Sequence, residues 1–254
     1  MDLNDPPSIK SAFEAYRPHI VVHTAAMSHP DDCERNPGLA RAVNRDASTL
    51  IANLAARTGA GALFVSTDLV FDGRRGRYSE EDEPRPLSVY GRTKFEAEAA
   101  FLHENKSGPS GFKTAVIRSS LIYGWGSPGN ATFFSRLYDS LSSGRKVRLF
   151  TDQMRTPVLV SDLARSIKLV IEGNLTGIFH CGGAEAVSRL DFGTAVCRTF
   201  GLDETLIEPI RMGDLRQAAG RPLDATLDSS RLAAATGFAP RGVEDGLLSL
   251  AAGA

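Results

Sequence analysis

Tyr90 and Lys94 stand four residues apart in the stretch Ser88-Val89-Tyr90-Gly91-Arg92-Thr93-Lys94. On a helix that spacing stacks the two side chains on one face, about 5–6 Å apart at Cβ. A free phenol titrates near pH ~10 and is a poor proton source or sink at neutral pH. A neighbouring ammonium favours the phenolate and lowers that pKa, which makes Tyr90 usable as a general acid or base. Upstream lies Val65-Ser66-Thr67-Asp68, at the end of an apolar run. Hydroxyls at a strand end can hold a substrate carbonyl oxygen beside the phenol. Ser66 and Thr67 are the candidates for that contact, and Asp68 either touches substrate or closes the turn. A Ser/Thr, a Tyr and a Lys in this order are suited to reversible proton transfer to a ketone or an alcohol.

Such a set has to be held by a strand and a helix packed against it, and the surrounding pattern supplies both. Asp5 and Pro6 read as the start of a short helix carrying Ile9, Phe13 and Tyr16, ended by Pro18. His19 to Thr24 reads as a strand, followed by the small residues Ala25 and Ala26 and a polar loop to Pro37. Leu39, Val43, Leu50, Ile51 and Leu54 mark a long helix. Ala62 to Ser66 is the next strand, and the Tyr-Lys helix is predicted from Ser88 to Glu104. Gly91 inside it costs roughly 1 kcal/mol against Ala, for which a close backbone approach would be a reason. Strands at Ala115–Arg118, Lys146–Phe150 and Ile178–Cys181 then alternate with helices near 132–141, 161–171, 189–200 and 243–250. That alternation predicts an α/β fold with a doubly wound parallel sheet. A division follows: residues 1–123 as a core with the Tyr-Lys helix, and 124–254 as a smaller substrate lobe interleaved with it.

Val65-Ser66-Thr67-Asp68-Leu69-Val70-Phe71-Asp72-Gly73, Tyr78-Ser79-Glu80-Glu81-Asp82 and Pro86 to Lys94 together carry a resemblance. The chain resembles the extended short-chain dehydrogenases/reductases, within them the dTDP-4-dehydrorhamnose reductase branch, which includes the regulatory β subunit of methionine adenosyltransferase. The resemblance implies a Rossmann-like fold, NADP or NAD as cofactor, and reduction of a keto group on a nucleotide-activated 4-keto sugar. It implies Tyr90 as proton donor, Lys94 on the nicotinamide ribose and Thr67 on the substrate oxygen. By the same resemblance Ala25 and Ala26 line the cofactor, Asp2 and Leu3 contact adenine, and Ser120 lies near nicotinamide and sugar. Arg155 or Arg221 can pair with a diphosphate through forked donors, or serve a structural ion pair. Asn44 matches a family helix position with a structural or a functional role. The reductases carry Trp where this chain has Leu121. That departure, with His180-Cys181-Gly182-Gly183, suits the alternative of a non-catalytic dinucleotide-binding regulatory subunit. An inactive fragment is the third reading.

Composition narrows the field. Hydrophobic residues make up 42% and charged residues 23% of 254, as in an ordinary globular protein. A net charge of −1 gives no reason to expect nucleic-acid or anionic-membrane binding. No apolar run approaches the ~20 residues of a membrane span. The start has no signal-peptide pattern, and Cys33, Cys181 and Cys197 have no metal-ligand spacing, so a cytoplasmic protein with reduced thiols is expected. His29-Pro30-Asp31-Asp32-Cys33 is too compact for a tetrahedral metal site, and no metal is expected. His23 and His180 read as hydrogen-bonded interior residues, and Glu80 to Glu83 as a solvated loop face.

A nucleotide-binding sheet of this type opens with a strand, a glycine-rich turn and a helix. No such opening is present; the Asp2-Leu3-Asn4-Asp5 segment resembles one that follows the first βαβ unit in the family. The expectation is that this unit, about 30 residues or more, is missing by truncation, or that another chain covers the open edge beside residues 19–24. Gly124-Trp125-Gly126-Ser127-Pro128-Gly129 matches G-x-G-x-x-G letter for letter. Pro128 removes an N–H from a loop whose use is its N–H groups, so a loop beside the sugar site is the preferred reading.

Overall fold

The computed structural model describes residues 1–103, 114–126 and 131–253. Four parallel strands form the main sheet: β1 (Ile20–His23), β2 (Gly61–Thr67), β3 (Thr114–Ser119) and the strand Gly177–Cys181, hydrogen-bonded in that order. Ile20 faces Gly61, Ala62 faces Thr114 and Ala115 faces Gly177 across the sheet. Every residue of β2 and β3 is buried, which is why both read as near-continuous apolar runs.

Strand periodicity divides the core. Ala62 and Phe64 of β2 pack with Ile9, Phe13, Ala52 and Phe101, under the helices Pro6–Tyr16, Ala47–Thr58 and Val89–His103. Leu63 and Val65 point the other way, into Ile117, Leu163, Val170 and Leu232, where helices Val160–Glu172 and Ser230–Thr236 cover the sheet. The sheet is therefore doubly wound, as the alternation of elements predicts. A third cluster, including Tyr123, Phe134, Phe192, Val196 and Leu247, holds residues from 123 onward together.

Several elements differ from the sequence expectation. The polar stretch before Pro37 contains a helix, Pro30–Arg35, with Pro30 in its first turn and Asp31 and Asp32 beside the positive end of the helix dipole. A π turn at Ala42–Asp46 joins Pro37–Arg41 to Ala47–Thr58, and Gly59 ends the run at φ +74°. The strand Ile207–Ile210, parallel to Val147–Phe150, and the helix Ser230–Thr236 have weak sequence signals; they are short and half-exposed. Glu80 is not on a solvated face. Its side chain is 4% exposed and accepts the His180 backbone N–H at 2.8 Å.

Residues 127–130, including half of the glycine-rich match, lie outside the described residues. Its described half is a packed turn: Trp125 stands edge-on to Phe134 and Tyr138, each at 5.0 Å between ring centroids. Among the described residues β1 pairs with β2 alone, and Ile20 and Val22 are 38% and 42% exposed. A hollow of about 340 Å³ on that side is lined by Tyr16, Ile20, Val22 and Ala25.

Gly91 has a definite reason for its place. A Cβ there would meet the Leu69 carbonyl oxygen at 2.1 Å, so the first turn of the Tyr-Lys helix lies directly against the turn that follows β2. Gly91→Ala must push these two apart. We expect a loss of about 1–3 kcal/mol in stability despite the better helix propensity of Ala, read by urea denaturation; a gain would show that the contact is soft.

Candidate active site

Thr67 ends β2 and caps the tight turn Asp68–Val70. Its hydroxyl accepts the Leu69 N–H at 3.2 Å and donates to Asp68 Oδ1 at 3.1 Å. Asp68 Oδ2 accepts the Ser120 hydroxyl at 3.1 Å, from the carboxyl end of β3, and lies 3.4 Å from Arg155 Nε. Burial pushes the Asp68 carboxyl up, against the pull of Arg155, Thr67 and Ser120. Tyr90 enters from the first turn of the helix Val89–His103. Thr67, Asp68, Tyr90, Ser120, Arg155 and Arg221 all line one cavity of about 550 Å³ at the carboxyl ends of β2 and β3.

Lys94 is not in that cavity. Its side chain is 2% exposed, and Nζ sits 3.9 Å above the centroid of the Phe64 ring. Burial draws its pKa down to about 7, countered in part by Glu98. The expectation that Lys94 lowers the Tyr90 pKa is not met in this arrangement. Burial and then the Asp68 carboxylate raise the phenol, and only the Thr67 hydroxyl among the main influences favours its ionised form. Four-residue spacing puts both groups on one helix face, but Lys94 folds against the sheet while Tyr90 faces the cavity.

Ser66 is also elsewhere. Adjacent strand residues point to opposite faces, so with Thr67 in the cavity Ser66 turns beneath the helix and donates to Glu98 Oε1 at 2.5 Å. Glu98 takes a forked contact from Arg118, with Nη2 at 2.6 Å and Nε at 3.0 Å, all within the protein interior. Burial and then Arg118 pull His180 down to about 3, so its ring is neutral. His180 Nδ1 then donates to the Tyr78 carbonyl at 2.9 Å, leaving Nε2 to accept from Arg118 at 3.5 Å.

Asn44 plays a structural part. Its Oδ1 accepts the Met27 N–H at 2.8 Å, and Nδ2 donates to the Met27 carbonyl at 3.1 Å and to Thr93 Oγ1 at 3.3 Å. It ties the chain after β1 to the Tyr-Lys helix. Asp2 accepts the Asn4 N–H at 2.8 Å, Leu3 packs against the Ile9–Phe13 cluster, Ala25 is exposed on the free side of β1 and Ala26 is half-buried. None of the four lines the Tyr90 cavity.

The two expected arginines behave differently. Arg155 donates to the carbonyls of Met154, Leu223 and Pro222 at 2.6, 3.3 and 3.1 Å besides facing Asp68. Most of its donors are taken up within the protein, which holds it as a clamp at the cavity wall with one Nη2 hydrogen to spare. Arg221 gives Nη2 to Asp31 Oδ2 at 2.6 Å, and Asp31 also accepts the Ala219 N–H at 3.0 Å. Arg189, Gln153 and Phe133 line the cavity too and were not among the expected site residues. Arg189 carried a readable signal. It opens a helix behind the Ser188 cap, where a cation opposes the helix dipole and so wants another reason to be there.

A parallel doubly wound sheet with Thr67 and Tyr90 at its carboxyl end defines a Rossmann-like protein. The family comparison agrees: residues 1–252 match the RmlD substrate binding domain, and the chain belongs to that family. It is 33% identical over 255 residues to the probable low-salt glycan biosynthesis reductase Agl14 of Haloferax volcanii, covering 99% of this chain and 83% of that protein. It is 32% identical to methionine adenosyltransferase 2 subunit beta of Bos taurus, over 91% of this chain and 69% of that one. Its fold is similar to that of dTDP-4-dehydrorhamnose reductase from Bacillus anthracis in complex with NADP, with a TM-score of 0.90 at 23% identity, covering 100% and 87% of the two chains. MoeE5 in complex with UDP-glucose and NAD superposes with a TM-score of 0.82 at 25% identity over 97% and 81%.

The buried histidines set a pH dependence. His23, hydrogen-bonded to Ser48 Oγ at 2.9 Å, is drawn down to about 4 by burial and then Lys94. Both rings stay neutral in the folded state, while the unfolded chain takes up protons below pH ~6.5. Stability is therefore full above pH ~6.5 and falls as pH drops, each histidine withdrawing about 2 kcal/mol by pH 5. Denaturant titrations at pH 7.5 and 5.0 should show a smaller fall in His180→Gln than in the parent; equal falls would contradict this account.

Proposed function

We propose that the chain is an NAD(P)-dependent reductase that acts on the keto group of a nucleotide-activated 4-keto sugar. The observation that carries the reading is the convergence of the Tyr90 phenol and the Thr67 hydroxyl on one cavity at the carboxyl ends of parallel strands, where nucleotides bind in sheets of this kind. Exposed Ala25 and the hollow beside β1 leave room for part of a dinucleotide, since small side chains do not fill the space there. Asp2, Leu3, Ala25, Ala26 and Lys94 would hold that cofactor by family likeness, with Lys94 on the ribose. NADP or NAD, when bound, supplies the hydride.

The chain's own residues then do the rest. Thr67, turning its hydroxyl proton from Asp68 to the ligand, orients the ketone oxygen toward Tyr90, and Ser120 borders the sugar. The phenol, held above its usual pKa by burial and Asp68, stays protonated at neutral pH. That suits the reducing direction: an alkoxide forming on the substrate is a stronger base than phenolate, so the proton passes to it downhill. The same shift disfavours the reverse, alcohol-oxidising direction. A cytoplasmic location goes with this reading.

A second reading is a dinucleotide-binding regulatory subunit. It is supported by the likeness to the methionine adenosyltransferase β subunit and by Leu121, which lines the cavity where the resembling reductases carry Trp. NADPH and NADH oxidation with a panel of 4-keto nucleotide sugars separates the two. We expect turnover in the parent and a fall of at least ~10²-fold in Tyr90→Phe with an unchanged melting temperature. Cofactor binding without turnover on any ketone favours the subunit; undiminished turnover in Tyr90→Phe removes the proton-donor role.

A further inference from the structure

We propose that Glu34 is a positioning residue for Tyr90: its carboxylate reaches across from the helix Pro30–Arg35, caps the first turn of the Tyr-Lys helix, and so fixes where the phenol stands in the cavity. The proposal rests on the reading of Tyr90 as the proton donor. Glu34 Oε1 accepts the Val89 backbone N–H at 2.7 Å, from 55 residues away in the chain. Val89 opens the helix, so its N–H is one of the donors that a helix start leaves without a partner of its own. Ser88 caps part of the turn: its hydroxyl accepts the Gly91 N–H at 3.1 Å and its carbonyl the Arg92 N–H at 3.0 Å. Val89 is left to Glu34, whose negative charge suits the positive end of the helix dipole.

Tyr90 is therefore pinned on both sides. Glu34 holds the residue before it, and Ser88 and the close Leu69 carbonyl hold Gly91 after it. Helix ends fray, and without the first hold the phenol shares that motion. The capping helix is itself anchored. Cys33 donates its thiol to the Met27 carbonyl at 3.2 Å, and Asn44 ties Met27 to Thr93 of the Tyr-Lys helix. Asp31, three residues before Glu34, accepts the Ala219 N–H at 3.0 Å and Arg221 at 2.6 Å. Asp32, by contrast, pairs with Arg35 inside its own helix. Glu34 acts through the backbone: the main influences on the ionisation of the phenol are burial, Asp68, Thr67 and Cys33.

Two readouts test this, one of them without turnover. In protein carrying ¹³C at tyrosine Cζ, the Tyr90 signal is assigned by its loss in Tyr90→Phe, and its shift reports ionisation of the phenol. The parent phenol should stay protonated at pH ~10, where a free phenol is about half ionised. In Glu34→Ala the loosened turn admits water, and the phenol should be detectably ionised at that pH. On a 4-keto nucleotide sugar that the parent reduces, kcat should fall at least ~10-fold with KM changed less than ~3-fold, since a misplacement of about 1 Å can cost ~10²-fold. Glu34→Gln keeps an acceptor for the Val89 N–H and should stay close to the parent in both readouts. Asp32→Ala removes a neighbouring acid of the same helix and should change neither. Glu34→Asp, one methylene shorter, should show the loss in smaller degree and covers the case in which the Ala variant does not fold. A lower melting temperature alone, with the phenol or kcat as in the parent, makes Glu34 a purely structural cap and overturns the proposal. So does an equal loss in Asp32→Ala, or no recovery in Glu34→Gln. If the parent reduces no ketone, the reductase reading falls and the phenol signal still decides this one. Turnover abolished in Tyr90→Phe and untouched in Glu34→Ala sinks this one alone.

Discussion

The Asp68 carboxylate is the joint on which the site depends. It is 4% exposed, and a buried carboxylate survives as an anion only if donors surround it. Its donors come from three places in the chain: Thr67 at the end of β2, Ser120 at the end of β3, and Arg155 from the residues beyond. Arg155 in turn is held by the carbonyls of Pro222 and Leu223, at separations of 67 and 68 residues along the chain. One buried charge thus sets the ends of two strands and a distant loop relative to each other, and the cavity is the space they leave.

A second buried charge does the same work below. Glu98 lies on the Tyr-Lys helix, one turn beyond Lys94, and accepts from Ser66 on β2 and Arg118 on β3. Both acids therefore lock the same two strands, Asp68 at the cavity and Glu98 beneath the helix. Removing one member of such a pair strands a charge in the interior, at a cost of about 3–5 kcal/mol. Tyr90 is held in register through this lower lock and through Gly91, which seats the helix on the Leu69 carbonyl. The position of the phenol follows from backbone contact and buried charge, not from Lys94.

The electrostatics of the cavity then follow from what these locks leave over. Each carboxylate near the site is matched to a guanidinium, and the arginines outnumber the acids facing them. The result is a cationic floor beside a protonated phenol. Such a surface suits an anionic ligand, while burial and the Asp68 carboxylate, not the cations, keep Tyr90 in the proton-giving state by a route that the Tyr-x-x-x-Lys spacing alone does not suggest.

The amino-acid sequence by itself determined the doubly wound parallel sheet, the Tyr-Lys helix, the carboxyl-end placement of Thr67 and the hydrogen-bonded interior places of His23 and His180. Periodicity, capping residues and glycine placement are local, and they act within a few residues of where they are written. Tertiary structure decided which way each side chain turned and what answered it. Ser66 and Thr67 are neighbours in the chain, yet pleating sends them to opposite faces. Lys94 and Tyr90 share a helix face, yet one packs on Phe64 and the other opens to the cavity. Arg155 and Arg189 look alike in sequence, and only long-range contacts make the first a clamp and set the second on the neutral Gln153. Charge balance in a buried site is a property of groups that meet from distant parts of the chain, and no window of sequence contains all of them.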